Sequence, residues 1–153
     1  MTDTPGTPEE DLGEVTITRD YDAPRELVFR AMIEPEQLVR FWGPVGTHVP
    51  LESVVIEPWP VGRFETLMVA DDGSGEFPSK GTFIEVVEPE RLSFSEPDSG
   101  MVTSSTFTDL GNGRTRVVIH QTNVPPMYRS PEALEGFNSS LDRFAEHLAT
   151  LTR

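Results

Sequence analysis

The sequence contains no cysteine, and this absence removes several kinds of chemistry at once. Disulfide bonds, thiolate metal ligands and cysteine nucleophiles are all excluded. Histidines are also few, and His48, His120 and His147 lie far apart, whereas zinc motifs place two histidines about four residues apart on one helix. We therefore expect no metal site and no cofactor, and the lack of cysteine suits a reducing compartment such as the cytoplasm.

Basic residues are scarce. Twelve Lys and Arg stand against twenty-six Asp and Glu, which gives a net charge of −14. Lys80 is the only lysine, and the arginines are scattered along the chain. Because so acidic a surface repels phosphate backbones and anionic lipid headgroups, we expect no binding to nucleic acid and none to membranes.

Long apolar runs are missing too, since none approaches the roughly 20 residues that cross a bilayer. Residues 1–13 hold only Met1 and Leu12 as apolar side chains. They lack the basic and apolar segments of a secretion signal, and their composition predicts a disordered acidic tail. The remaining residues, 14–153, are predicted to form a single domain large enough to build a hydrophobic core.

Alternation of apolar and polar residues predicts most of this domain to be β-strand. The first strand runs from Val15 to Tyr21. Six more are predicted at residues 49–57, 64–69, 81–87, 92–95, 101–108 and 115–122. The segments between them are short and rich in Gly, Pro and Asn, which favours antiparallel hairpins and leaves no room for a crossover helix.

Helical periodicity is clearest at residues 131–152, where apolar residues recur at alternating intervals of three and four. They are Leu134, Phe137, Leu141, Phe144, Leu148 and Leu151. Ser130 is a good helix cap, and two shorter helices are predicted to start near Pro24 and Pro35. An amphipathic helix and a one-sided sheet must bury their apolar faces together. The predicted fold is therefore α+β, with a curved antiparallel sheet of six or seven strands around the long C-terminal helix.

Several segments, taken in order, resemble the START-like (SRPBCC) superfamily, and more narrowly the homologues of the heat-shock protein 90 ATPase activator. They include Asp22-Ala23-Pro24, Glu34-Pro35-Glu36, Phe41-Trp42-Gly43-Pro44, Pro60-Val61-Gly62-Arg63-Phe64, Pro89-Glu90-Arg91-Leu92 and Glu135-Gly136-Phe137. The resemblance implies a helix-grip fold of the Bet v type with a cavity between sheet and helix.

Some residues depart from the family pattern. Val61 stands where a glycine is usual, and Gln121 stands where histidine is common, which weakens any acid–base role. Eukaryotic activators also carry an additional N-terminal domain that stimulates the chaperone, where this sequence has only about a dozen residues. The resemblance therefore makes a chaperone partner possible without making chaperone activation the expected function.

The inward faces of the predicted strands combine apolar side chains with a few hydroxyls and an amide, as small-molecule sites do. The candidate ligand-binding residues are Trp42, Phe64, Thr66, Met68, Phe83, Phe94, Ser105, Phe107, Gln121, Phe137 and Leu141. The alternative is that these side chains simply fill the core. No catalytic residue is assigned, because no nucleophile elbow surrounds the serines and Glu57 and Glu85 suit surface ion pairs with Arg63 or Arg91.

Three functions stay open at this point. The favoured one is a binding module, monomeric or weakly dimeric, that holds a small hydrophobic or amphipathic ligand. A cyclase- or hydratase-like enzyme of the same superfamily is the second, and would need a convergent acid–base pair in the cavity. A chaperone-interacting protein is the third, and would need an exposed apolar patch of more than a few hundred Å².

Overall fold

The predicted order of strands and helices is the order found in a computed structural model, which describes residues 12–152. The elements are β1 (Gly13–Tyr21), α1 (Arg25–Ile33), α2 (Pro35–Leu38), β2 (Thr47–His48), β3 (Val55–Ile56), β4 (Arg63–Ala70), β5 (Glu76–Val87), β6 (Arg91–Glu96), β7 (Met101–Gly111), β8 (Arg114–Val124) and α3 (Pro131–Leu151). The domain starts one residue earlier than predicted, and the predicted tail lies almost wholly outside the described residues.

All strand pairs are antiparallel, in the order β1-β8-β7-β6-β5-β4-β2, with β3 also pairing with β4. The prediction of one continuous strand over residues 49–57 is wrong. Pro50 has no N–H to donate to a ladder, and the chain instead forms a 3₁₀ turn at Leu51–Ser53. The Ser53 hydroxyl donates to the Pro50 carbonyl at 2.7 Å, which stabilises this turn. Within the predicted range only β3, Val55–Ile56, is a strand, and the short strand β2 precedes the range at Thr47–His48.

Strand β5 begins at Glu76, five residues before the predicted start. Pro78 lies inside it, opposite Leu67 of β4. A proline is tolerated here because β6 pairs with β5 only from Thr82 onward, so the first part of β5 has a free edge. The extension places Ser79 on the sheet, directly opposite Thr66.

Helix α3 crosses one face of the sheet, which we call the inner face. The Ser130 hydroxyl accepts a hydrogen bond from the Ala133 amide at 3.1 Å and caps the helix as predicted. Phe144 stacks on Phe41 at 4.2 Å between ring centres and meets Tyr21 of β1 edge-on at 5.1 Å. This aromatic contact fixes the C-terminal half of α3 over the end of β1. No helix in the described part of the chain is both long and apolar enough to cross a membrane.

Residues 41–47 run along α3 and are tied to it by polar contacts. One guanidinium nitrogen of Arg143 lies 2.9 Å from the Gly43 carbonyl oxygen, 3.2 Å from that of Pro44 and 3.3 Å from that of Thr47. Gly136 faces the same segment, and a Cβ at this position would lie 3.3 Å from Pro44 Cβ. The glycine in the helix is thus explained by close approach of a loop.

Candidate binding site on the inner face

Antiparallel pairing brings the end of β4, the start of β5, the end of β6, the start of β7 and the end of β8 to one end of the sheet. We call it the polar end. Strand β2 pairs with Val69 and Ala70 there, and α3 begins there after the short connection from β8. The N-terminal half of α3 therefore lies over this end, and its C-terminal half lies towards Tyr21 at the other.

Five polar residues cross the inner face at the polar end, and we call them the polar stripe. They are Thr66, Ser79, Glu96, Thr103 and Gln121. The Ser79 hydroxyl donates to the Glu96 carboxylate at 3.4 Å, and the Gln121 amide nitrogen donates to the Thr103 hydroxyl at 3.1 Å. Thr66 is only 6% exposed and Thr103 only 7%. Ser79, Glu96 and Gln121 are only partly buried, so the stripe combines buried hydroxyls with polar groups that solvent still reaches.

Part of the hydrogen-bonding capacity near the stripe is unused. Within residues 12–152, the hydroxyls of Thr66 and of the neighbouring Ser105 make no hydrogen bond to another group. Neither oxygen is among the fully enclosed polar atoms that lack a partner in this part of the chain, which are the Tyr21 hydroxyl and Arg25 Nε. Two hydroxyls on one face that stay open to a further partner indicate a place where another polar group could bind.

Glu96 is the ionisable member of the stripe. Burial raises the pKa of its carboxyl above the ordinary range, the Ser79 hydroxyl acts in the opposite direction, and nearby Asp98 adds to the increase. No arginine, lysine or histidine of the described chain forms an ion pair with it. A half-buried carboxylate without a cation is costly unless it is neutralised or finds a donor.

An aromatic cluster borders the stripe. Phe64 meets Trp42 at 5.3 Å, stacks on Phe83 at 5.3 Å and meets Phe94 edge-on at 4.8 Å, all between ring centres. Four of the predicted ligand-binding residues therefore contact one another directly. They form a packed apolar wall, and the polar stripe lies beside it.

The other predicted ligand-binding residues differ in how deeply they are buried and in how far they lie from the polar end. Phe107 is deep in the core, edge-on to Phe29 of α1 at 5.2 Å, and faces away from the polar end. Leu141 is buried under the middle of α3, whereas Phe137, one turn earlier, is only half-buried. Met68 packs its thioether towards Gly43. Their role in binding stays a prediction.

Sequence reasoning missed Ser79 and Glu96. Alternation from Leu92 and Phe94 would have placed Glu96 on the inner face, and alternation from Phe83 and Gly81 would have done the same for Ser79. Both were lost because the predicted strands stopped one residue short of Glu96 and began two residues after Ser79. By contrast, the predicted ion pair between Glu85 and Arg91 is present at 2.7 Å, and His120 faces outward, as predicted, against Glu14.

The inner face is reachable from solvent at the polar end. Phe77 belongs to the inner-face positions of β5, opposite Met68, yet it is 55% exposed. Along α3, Leu134 and Phe137 are half-buried, whereas Leu141, Phe144 and Leu148 are buried. Cover from the helix therefore decreases towards the polar end.

A separate open groove of about 550 Å³ lies on the far side of α3. It is lined by Arg40, Arg143, Glu146, His147, Thr150 and Leu151. Arg143 is already occupied by the carbonyls of residues 43–47, and burial, with help from Arg40, lowers the pKa of His147. The groove contains none of the predicted ligand-binding residues, and the chemistry described above lies on the opposite side of the helix.

A family model described as activator of Hsp90 ATPase homolog 1-like protein matches residues 22–149. The chain belongs to this family. Its place there accounts for the START-like helix-grip arrangement of sheet and C-terminal helix seen in the fold. A search of the curated proteins finds no match.

Solved structures of the same fold come from several bacteria. A protein from Nitrosomonas europaea has a TM-score of 0.81 at 22% identity, over 91% of this chain and 96% of that one. One from Chromobacterium violaceum has a TM-score of 0.80 at 23% identity, over 87% and 95%. An AHSA1-like protein from Aeromonas hydrophila has a TM-score of 0.78 at 25% identity, over 90% and 93%. These similarities establish the fold.

Proposed function

We propose that this member of the Hsp90 activator-like family binds a small amphipathic molecule between the inner face of the sheet and the N-terminal half of α3. The observation that carries the proposal is the unused hydrogen-bonding capacity of Thr66, Ser105 and Glu96 beside an apolar wall. A ligand would place its apolar part against the aromatic cluster and its polar group on the stripe. This combination of an apolar lining with a few convergent polar groups is typical of small-molecule sites.

Binding accounts for the stripe better than catalysis does. General acid–base chemistry on a ligand needs two titratable groups that converge on it. Glu96 supplies one carboxyl, but the group across the stripe is the amide of Gln121, which cannot act as an acid or a base near neutral pH. A cyclase- or hydratase-like activity therefore has less support than ligand binding.

The experiment is a fluorescence titration with the neutral probe N-phenyl-1-naphthylamine, followed by amide chemical shifts in ¹⁵N-labelled protein. We expect saturable enhancement and shifts at the polar stripe. Ser105→Leu should abolish both while leaving the melting temperature unchanged or higher, since leucine suits the space beside Leu92 and Ile119. The control is Ser104→Leu, the same substitution on the opposite face, which should bind like the wild type. No saturable binding, or shifts confined to the groove at Arg40, would overturn the proposal.

A chaperone-binding role is the second candidate, because one outer region is unusually apolar. Trp59, Val61 and Ile84 are all exposed, and the Val61 amide donates to the Phe83 carbonyl at 2.8 Å, which holds the two segments together. Exposed aromatic and aliphatic side chains of this kind are common at protein interfaces. Stimulation of Hsp90 ATPase activity by the wild type and its loss in Trp59→Ala would support this role, and no stimulation would remove it.

A further inference from the structure

We infer that the polar stripe selects ligands whose head group donates hydrogen bonds, above all a protonated amine, and discriminates against carboxylates. The inference rests on the proposed function, since it names the class of ligand for the same site.

The hydrogen-bonding groups of the stripe favour a head group that donates. An ionised carboxylate only accepts hydrogen bonds, and Glu96 has a single weak donor, the Ser79 hydroxyl, at 3.4 Å. One N–H of the Gln121 amide is used by Thr103, whereas its second N–H and the hydroxyls of Thr66 and Ser105 can still donate. Glu96 is the only charged group of the stripe, and an ammonium group with its three N–H donors matches a carboxylate that has no cation beside it among the described residues.

Three arginines near α3 or the start of β1 form hydrogen bonds or ion pairs with other groups. Arg143 donates to the carbonyls of Gly43, Pro44 and Thr47. Arg19 is paired with Asp142 at 2.7 Å, and Arg129 donates to the Val124 carbonyl at 3.0 Å, with its guanidinium lying against Gly13. Each of these three arginines thus has a partner of its own. None of them forms a hydrogen bond or ion pair with Glu96, so a bound carboxylate would meet that residue as a like charge.

The net charge of the whole chain also favours cationic ligands. A net charge of −14 raises the local concentration of cations and lowers that of anions around the site. This effect acts on every bound position, whereas Glu96 acts only on a head group at the stripe. The two contributions can therefore be separated by mutation.

The test uses three ligands with the same eight-carbon chain, n-octylamine, n-octanol and octanoate, titrated calorimetrically at neutral pH and moderate salt. We expect the amine to bind at least about tenfold more tightly than octanoate, the difference that one hydrogen bond to a charged group supplies. Octanol should fall between them. In Glu96→Gln, the amine should lose most of its advantage over octanol.

Glu76→Gln is the matched control, because Glu76 lies at the same end of the sheet on the opposite face, opposite Val69. It removes the same charge and should leave the ligand order unchanged. If none of the three ligands binds, the proposed function itself fails. If they bind but the amine has no advantage, or Glu96→Gln and Glu76→Gln weaken it equally, the head-group inference is overturned and the binding function stands.

Discussion

Tyr21 places a phenol hydroxyl in the hydrophobic core. The residue is 3% exposed, and within the described residues its hydroxyl has no hydrogen-bond partner. Burial raises the pKa of Tyr21 from 10.0 to about 12, because the interior disfavours the phenolate. A buried hydroxyl without a partner costs about 1–3 kcal/mol, whereas phenylalanine would keep the ring contact with Phe144.

We therefore expect Tyr21→Phe to raise the free energy of unfolding by about 1 kcal/mol at neutral pH. The pKa of Tyr21 is higher in the folded state than in the unfolded state. Ionisation of Tyr21 therefore leaves the free energy of unfolding unchanged below the unfolded pKa of 10.0 and lowers it as pH rises towards about 12. Tyr21→Phe should lack that alkaline loss. Urea unfolding at neutral and alkaline pH measures both effects, with the exposed Tyr128→Phe as an inert control. A less stable variant would show that the hydroxyl is hydrogen-bonded in solution.

Val61 is a β-branched residue in a left-handed backbone conformation, with φ of +71°. The left-handed region destabilises a non-glycine residue by about 1–2 kcal/mol, whereas glycine adopts it without this steric cost. The side chain is 81% exposed, so it gains little from packing in return. The next residue, Gly62, must remain glycine, since a Cβ there would lie 2.0 Å from the Glu57 carbonyl oxygen. Of these two residues only Val61 has a positive φ, so the backbone strain of the turn lies there.

Val61→Gly should stabilise the protein by about 1 kcal/mol, because removal of the strain exceeds the entropy that glycine adds to the unfolded chain. Val61→Ala keeps the strained geometry and should be nearly neutral. Thermal unfolding of the two variants side by side decides the matter. Equal melting temperatures for wild type and Val61→Gly would mean that the apolar contact around Val61 compensates for the strain.

At the scale of elements, α3 and the segment at residues 41–47 are joined by single hydrogen bonds at Ser139 and Ser140 and, most extensively, by the side chain of Arg143. Arg143 satisfies three loop carbonyls, and hydrogen bonds from a charged donor contribute about 1.5–3 kcal/mol. Arg143→Met keeps the length of the side chain but removes these donors. We expect it to destabilise the fold by about 2 kcal/mol in chemical unfolding. Asp142→Asn, which breaks the exposed pair with Arg19, should cost well under about 1 kcal/mol; equal costs for both would refute the special role of Arg143.

Element order was predictable because periodicity in these segments is strong. The alternation in β1, the stripe of α3 and the Ser130 cap each rest on residues within one element, and all three were confirmed. The errors came where tertiary context decides. The pattern at residues 49–57 predicts a strand, but Pro50 has no N–H for a ladder and the chain forms a 3₁₀ turn after it. Strand β5 tolerates Pro78 only because its neighbour β6 does not pair with that part of it.

At the scale of the whole molecule, the candidate site was only partly predictable. The general location, between sheet and long helix, followed from the fold class, and Thr66 and Gln121 are indeed in the polar stripe. Glu96 was missed because the predicted strand ended at Ser95, and no local pattern encodes that it forms no ion pair with another described residue. The packing of Trp42 with Phe64 likewise depends on residues far apart in sequence. Local periodicity therefore located the face, and only tertiary packing separated its filled part from its polar part.

Stability against pH is also a property of the whole chain, and its acidic groups act in two directions. Hydrogen bonds from Arg116 and Arg91 hold the pKa values of Asp20 and Glu85 below their ordinary range, so their contribution is present at neutral pH and lost on acidification. Both are exposed, and solvent screens them strongly. Glu96 acts in the opposite direction, because its folded-state pKa is raised. The stability it contributes is complete below its unfolded pKa and is lost as pH rises through the folded one.

We therefore expect Glu96→Gln, which mimics the protonated carboxyl, to be more stable than the wild type at neutral pH. The advantage should shrink steadily as pH falls and should vanish near about pH 4, where an ordinary glutamate is itself protonated. Urea unfolding of both proteins across this range measures the difference, and the common acid sensitivity from Asp20 and Glu85 cancels between them. Glu76→Gln should show no such pH-dependent advantage. A stability difference that stayed constant with pH would show that ionisation of the Glu96 carboxyl does not destabilise the fold. It would also weaken the assignment of Glu96 as the acceptor for a cationic ligand.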